Sequence, residues 1–77
     1  MKVNNYYVKT YGPTFTIRAE TVEIEHMQGR LEREYITFRK NGSEVCSILK
    51  PYVEDIKEIK LLQENKTIYT KEKGFIN

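Results

Sequence analysis

Asn41-Gly42 constrains this chain more than any other feature, because runs of alternating apolar and polar residues flank it on both sides, EYITFRK before and SEVCSIL after. A two-residue hairpin turn needs positive φ at both central positions, and Asn-Gly meets that need at least cost. Closure between Lys40 and Ser43 then sets a register. Arg39 falls opposite Glu44, Phe38 opposite Val45, Thr37 opposite Cys46, Ile36 opposite Ser47 and Tyr35 opposite Ile48. One face, with Ile36, Phe38, Val45 and Leu49 and with Ser47 as a small gap, is expected to be core. The other carries Tyr35, Thr37, Arg39, Glu44, Cys46 and Ile48 and is only half polar.

The rest of the chain reads as further short strands. Residues 3–11 alternate with Tyr6 and Val8 on one face and Tyr7, Lys9 and Tyr11 on the other, until Gly12-Pro13 ends the strand. Residues 14–27 alternate too, but Phe15, Ile17 and Ala19 are at odd positions while Val22, Ile24 and His26 are at even ones. A bulge or bend near Glu20-Thr21 is expected there, or two strands joined by a corner; either leaves Glu23 and Glu25 outward. Gln28-Gly29-Arg30 reads as the loop before the hairpin.

After the hairpin, Lys50-Pro51 stops a strand. Two readings of the following segment stand. A helix has Pro51 near its start and Glu54 and Asp55 in its first turn, but Val53, Ile56, Ile59 and Leu62 recur every three residues and drift off any helical face. A tight turn over 51–56, then a strand with Ile59 and Leu61 on one face, fits better. Residues 63–66 form a loop, 67–71 a last strand with Ile68 inward, and 72–77 a frayed tail.

The expectation is therefore one all-β domain spanning residues 1–77. It is a small antiparallel five- or six-stranded barrel or half-barrel of SH3-like, Sm-like or OB-like type, with one short helical turn near 51–57. A chain of this length buries only about two-thirds of the surface its unfolded form exposes, so spare apolar surface tends to find a partner. Thirteen basic and eleven acidic residues are interspersed, which nominates neither nucleic acid nor an anionic membrane by charge alone. The single cysteine excludes an internal disulfide framework, and MKVNNYYVKT lacks the apolar core of a signal peptide. Cytoplasmic residence without a membrane partner is expected.

Catalytic equipment is sparse. His26 is the only histidine, and the only thiol, Cys46, lies on another strand; a Cys/His pair is disfavoured against a strand-end histidine that packs or caps. Closely spaced metal ligands are missing, and the glycines are too isolated for a phosphate loop. Glu23 and Glu25 lie two apart on one face, but without a second acid in an apolar pocket they read as a solvated strip. Neither enzymatic activity nor a cofactor nor a metal is expected.

The better candidate surface is basic and aromatic: Tyr7, Lys9 and Tyr11 on the first strand, and Arg33, Tyr35 and Arg39 on the third, with Ile48 beside them. Tyrosine and arginine anchor protein interfaces, and aromatics between cations also stack nucleic-acid bases. Glu44 opposite Arg39 counts against nucleic acid. The bland alternative is that the tyrosines are ordinary strand formers and the arginines keep the surface soluble.

The motif F-x-x-N-G-x-x-V from Phe38, followed by Ile48-Leu49 and by Val53, Ile56 and Ile59, resembles short β-rich proteins of bacteriophages and integrative elements of Firmicutes. The likeness covers the last two-thirds of the chain. It implies a mobile-element accessory protein that works stoichiometrically, by inhibiting a host defence or regulatory protein or by sequestering a small signal molecule. The expected function is a non-enzymatic binding protein, a homo-oligomer or bound to a host protein, with single-stranded nucleic-acid binding as the alternative.

Overall fold

The computed structural model describes residues 2–27 and 33–76. These residues form eight strands in two antiparallel sheets. The larger sheet runs in the order β2-β1-β6-β7-β8, with β1 at Asn4–Thr10, β2 at Thr14–Ala19, β6 at Val53–Ile59, β7 at Lys66–Thr70 and β8 at Gly74–Phe75. The smaller runs in the order β3-β4-β5, with β3 at Thr21–Met27, β4 at Arg33–Lys40 and β5 at Ser43–Leu49. Among the described residues no pairing closes the sheets into a barrel, and the only helical element is a 3-10 turn at Lys50–Tyr52. The expected loop at 28–30 lies outside the described residues.

The change of phase between Ala19 and Val22 is a corner where the chain leaves one sheet for the other. β2 buries Ile17 and Ala19 in the larger sheet, and β3 pairs Val22 with Phe38 and Ile24 with Ile36 in the smaller. Glu20 holds the corner. Its amide donates to the Arg39 carbonyl at 2.8 Å, and its carboxylate accepts the Asn41 amide at 2.6 Å, which ties the corner to the hairpin tip. Asn41 and Gly42 have φ of 54° and 76°, as the turn requires.

The hairpin register holds only next to the turn. Arg39 pairs with Glu44, but Val45 is then bulged out, so that Phe38 pairs with Cys46, Thr37 with Ser47, Ile36 with Ile48 and Tyr35 with Leu49. A shift of one residue sends every later side chain to the other face. Cys46 and Ile48 therefore pack against the core, Val45 is 49% exposed, and Leu49 is only half-buried. The unbulged register would set the Ser47 hydroxyl against buried Ile36. The bulge replaces it with Ile48 and lets Ser47 hydrogen-bond Thr37 at 3.1 Å.

The same device explains the segment that recurs every three residues. β6 starts at Val53, earlier than expected, and pairs with β1 through a bulge that sets Lys9 opposite Asp55 and Thr10 opposite Val53. Glu54 is the extra residue, so Val53 and Ile56 both turn inward and are fully buried. Leu61 is not on a strand with Ile59; it lies in the turn after β6 and is 91% exposed. In β7 a third bulge falls at Ile68, and Tyr69 rather than Ile68 fills the core at 1% exposure. The tail is not frayed as far as Ile76: Gly74–Phe75 pair with β7, the Phe75 and Tyr69 rings sit 5.1 Å apart, and the Ile76 amide donates to the Ile68 carbonyl at 2.8 Å. The bent run that splits into β2 and β3, together with β8, raises the strand number above the expected five or six.

The core gathers Tyr6, Val8, Ile17, Ala19, Val53, Ile56 and Tyr69 from the larger sheet and Ile36 and Phe38 from the smaller. The Tyr6 and Phe38 rings meet across the layers at 5.7 Å. Phe38→Ala is expected to cost about 3 to 5 kcal/mol in a urea titration, and Val45→Ala less than about 0.5 kcal/mol. Comparable losses at the two positions would mean that the hairpin is not bulged.

Candidate functional site

The residues expected to form one basic-aromatic surface do not converge. Tyr7 and Lys9 lie exposed on β1, on the face of the larger sheet that points away from the core, where Tyr7 pairs with Thr16 and Lys57. Tyr35 and Arg39 lie on the outward face of the smaller sheet. Because the sheets pack through their inner faces, these two sets point away from each other. Ile48 is half-buried and packs against the core, on the inner face rather than with Tyr35 and Arg39. Tyr11 follows β1 in the bend before β2, and Arg33 opens β4.

On the outward face of the smaller sheet, charge is already matched. Arg39 donates through Nη2 to both oxygens of Glu25, at 2.6 and 2.8 Å, and its Nε lies 3.4 Å from Glu23 Oε1. The acidic strip and the cation read separately in the sequence are one cluster. The Thr37 hydroxyl, followed by the Arg39 guanidinium, holds the Glu25 carboxyl below its ordinary range, and Glu25 raises Arg39 further. If Ser47 donates to Thr37, the Thr37 proton is left for Glu25, which accounts for the first effect. Arg39 therefore offers little to an external anion.

Folding lowers the Glu25 pKa, so the stability from this cluster is complete above the ordinary glutamate value of about 4.3 and is lost as pH falls through the folded value. The thermal midpoint of the wild type should drop more steeply than that of Glu25→Gln between about pH 5 and pH 3. Parallel curves would remove the cluster from the account of stability.

His26 and Cys46 do not meet. In the register His26 pairs with Glu34 and Cys46 with Phe38, on opposite edges of the smaller sheet and four residues apart along β4, about 13 Å. Burial, then the nearby Glu44 charge, pushes the Cys46 thiol up, away from the reactive thiolate. Among the described residues no group of three or more His, Cys, Asp or Glu side chains is placed to hold a metal ion.

Cations and aromatics do come together elsewhere. An open cleft of about 720 Å³ lies where the end of β3, the start of β4, the 3-10 turn and the end of β7 meet. Its lining brings Arg33, Lys50 and Lys71 beside the exposed Tyr52 and the edge of buried Tyr69, with Leu49, Pro51 and His26 alongside. Among the described residues Glu34 is the only acid in the lining. It is shared between Lys50 Nζ at 3.3 Å and His26 Nδ1 at 3.8 Å. Tyr11 joins from outside: its amide donates to the Tyr52 carbonyl at 3.1 Å, and Lys71 Nζ donates to its hydroxyl and sits 4.3 Å from its ring centroid. Lys71 also donates to the Pro51 carbonyl at 3.3 Å, so it is already positioned.

Of the expected residues, Arg33 lines this cleft and Tyr11 borders it. Lys50, Tyr52, Tyr69 and Lys71 escape the sequence reading because they fall at a strand stop, a turn and a weak last strand. The available signal is Lys50-Pro51-Tyr52, a cation and an aromatic on either side of a proline that fixes the backbone between them. No family model, no curated protein and no solved structure matches the chain. No helix among the described residues is long and apolar enough to cross a membrane.

Proposed function

We propose that the protein is a small non-enzymatic binding module that holds an acidic segment of a partner protein in the cleft between Arg33, Lys50, Tyr52 and Lys71. The observation that carries this reading is the meeting of three cationic side chains and the exposed Tyr52 around Glu34, the one carboxylate among the described residues of a single open cleft. Cations steer and orient carboxylates, and tyrosines give contact area at little cost in side-chain entropy. A cleft of this size with Leu49 and Pro51 in its lining suits a short segment rather than a flat interface.

Such a module acts stoichiometrically, in keeping with the accessory role in the cytoplasm that the resemblance to phage and mobile-element proteins implies. The target is a host defence or regulatory protein, and the same cleft suits a small anionic signal molecule. Among the described residues, β3 and β5 at the margins of the smaller sheet lack a neighbour on one side, which favours self-association. The SH3-like half-barrel is supported by the corner at Glu20, shared between the sheets, and by the 3-10 turn that returns the chain to pair β6 with β1.

Retention of proteins from a host lysate by the wild type and by the double variant Lys50→Glu/Tyr52→Ala tests this reading, with identification by mass spectrometry. The wild type should enrich an acidic protein that the variant loses, while circular dichroism shows both folded. Equal enrichment by the two would exclude the cleft. The aromatic-cation lining also favours a second reading, single-stranded nucleic acid. That reading requires anisotropy of a labelled oligothymidine to rise with the protein and to fall steeply with salt, and a flat signal at low salt ends it.

A further inference from the structure

Among the described residues, three positions besides Asn41 adopt positive φ: Gly42, Gly74 and Leu62, with Leu62 at 62°. The first two are glycines, for which this conformation is free of steric cost, and the asparagine tolerates it. Leu62 does not. It is also fully exposed, and Leu61 before it is 91% exposed. The tip between β6 and β7 thus places two large apolar side chains in water and adds backbone strain to do so, although glycine or asparagine would serve the turn better. The tip is otherwise well built, since the Asn65 side chain accepts the Lys60 amide at 3.3 Å.

The surroundings are basic. Lys2 and Lys60 share a hollow with Leu61, and Lys57 and Lys66 stand at the base of the hairpin. The acids nearby are Glu58, which Lys60 holds at 2.9 Å, and Glu64, so the lysines are in excess. From these observations we infer that the Leu61–Leu62 tip inserts into an anionic membrane surface, its leucines entering the boundary between headgroups and acyl chains and its lysines meeting the lipid phosphates and carboxylates. A protein interface of ordinary size buries roughly 800 Å² on each partner, far more than a two-residue convex tip offers, whereas a bilayer accepts such a tip at any orientation. This departs from the expectation of no membrane partner, which followed from the interspersed charges and the lack of a signal-peptide core. It does not depend on the cleft.

The chain has no tryptophan, so Leu61→Trp supplies a single reporter. With vesicles of roughly 70:30 phosphatidylcholine and phosphatidylserine at about 50 mM salt, its emission should shift to the blue and the wild type should co-sediment. Pure phosphatidylcholine vesicles and high salt should each weaken binding, by about fivefold for each lysine engaged. Leu61→Ser/Leu62→Gly should raise the thermal midpoint, because the strain at position 62 is removed, and bind at least about tenfold more weakly. Tyr52→Ala, which alters the cleft and leaves the net charge unchanged, should bind vesicles as the wild type does. Emission unchanged by anionic vesicles overturns the inference, and so does undiminished sedimentation of the serine-glycine variant, which would leave only charge attraction.

Discussion

A regular strand shows alternate side chains to opposite faces, so Val53 and Ile56, three residues apart, cannot both leave solvent unless one residue between them is unpaired. Both are fully buried, and Glu54 is that residue. The same constraint is met at Val45, where the bulge turns Cys46 and Ile48 inward, and at Ile68, beside buried Tyr69. A chain this short has few inward positions to spend on polar groups. Each bulge brings apolar side chains to the inner face, and each adds local twist that wraps one sheet over the other. The contact of Tyr6 with Phe38 across the layers depends on that wrapping.

Much of the fold is legible in the sequence because it follows from local chemistry. Asn41-Gly42 specifies its turn, Gly12-Pro13 ends β1, and the change of phase around Glu20 marks the corner. The bulges are not legible in that way, because each depends on a partner strand brought from elsewhere in the chain. Val45 looks like a core residue until Ser47 is seen to fall opposite Ile36, and only the three-dimensional pairing shows that expelling Val45 removes a hydroxyl from the core. The three-residue recurrence from Val53 is unlike a helix, as expected, but it stands for a bulged strand from Val53 rather than a tight turn over 51–56. Tyr69 and Phe75 were lost for a simpler reason: a five-residue strand and a two-residue strand carry almost no periodicity.

The site was less legible than the fold, since faces assigned within single strands say nothing of which sheet each strand joins. Tyr7 and Tyr35 share a phase and yet look in opposite directions, because β1 and β4 belong to different layers. Arg39, the most conspicuous cation of the hairpin, is taken up by Glu23 and Glu25. The cations that remain clustered with aromatics come from the margins of elements, where Lys50, Tyr52 and Lys71 are placed by the 3-10 turn and the end of β7. A proline and the Tyr11 hydroxyl hold that arrangement in place, so the cleft is shaped before any ligand arrives.

The reading of this protein as a binder stands or falls on whether the cleft between the sheets accepts acidic groups. The most direct measurement is a nitrogen-15 NMR titration of the folded protein with a short polyglutamate peptide. The account requires the amides of Arg33, Lys50, Tyr52 and Lys71 to shift together and saturably, while Tyr7, Lys9 and Tyr35 stay in place. Shifts confined to the outward faces of the sheets, or none at the cleft, would contradict it.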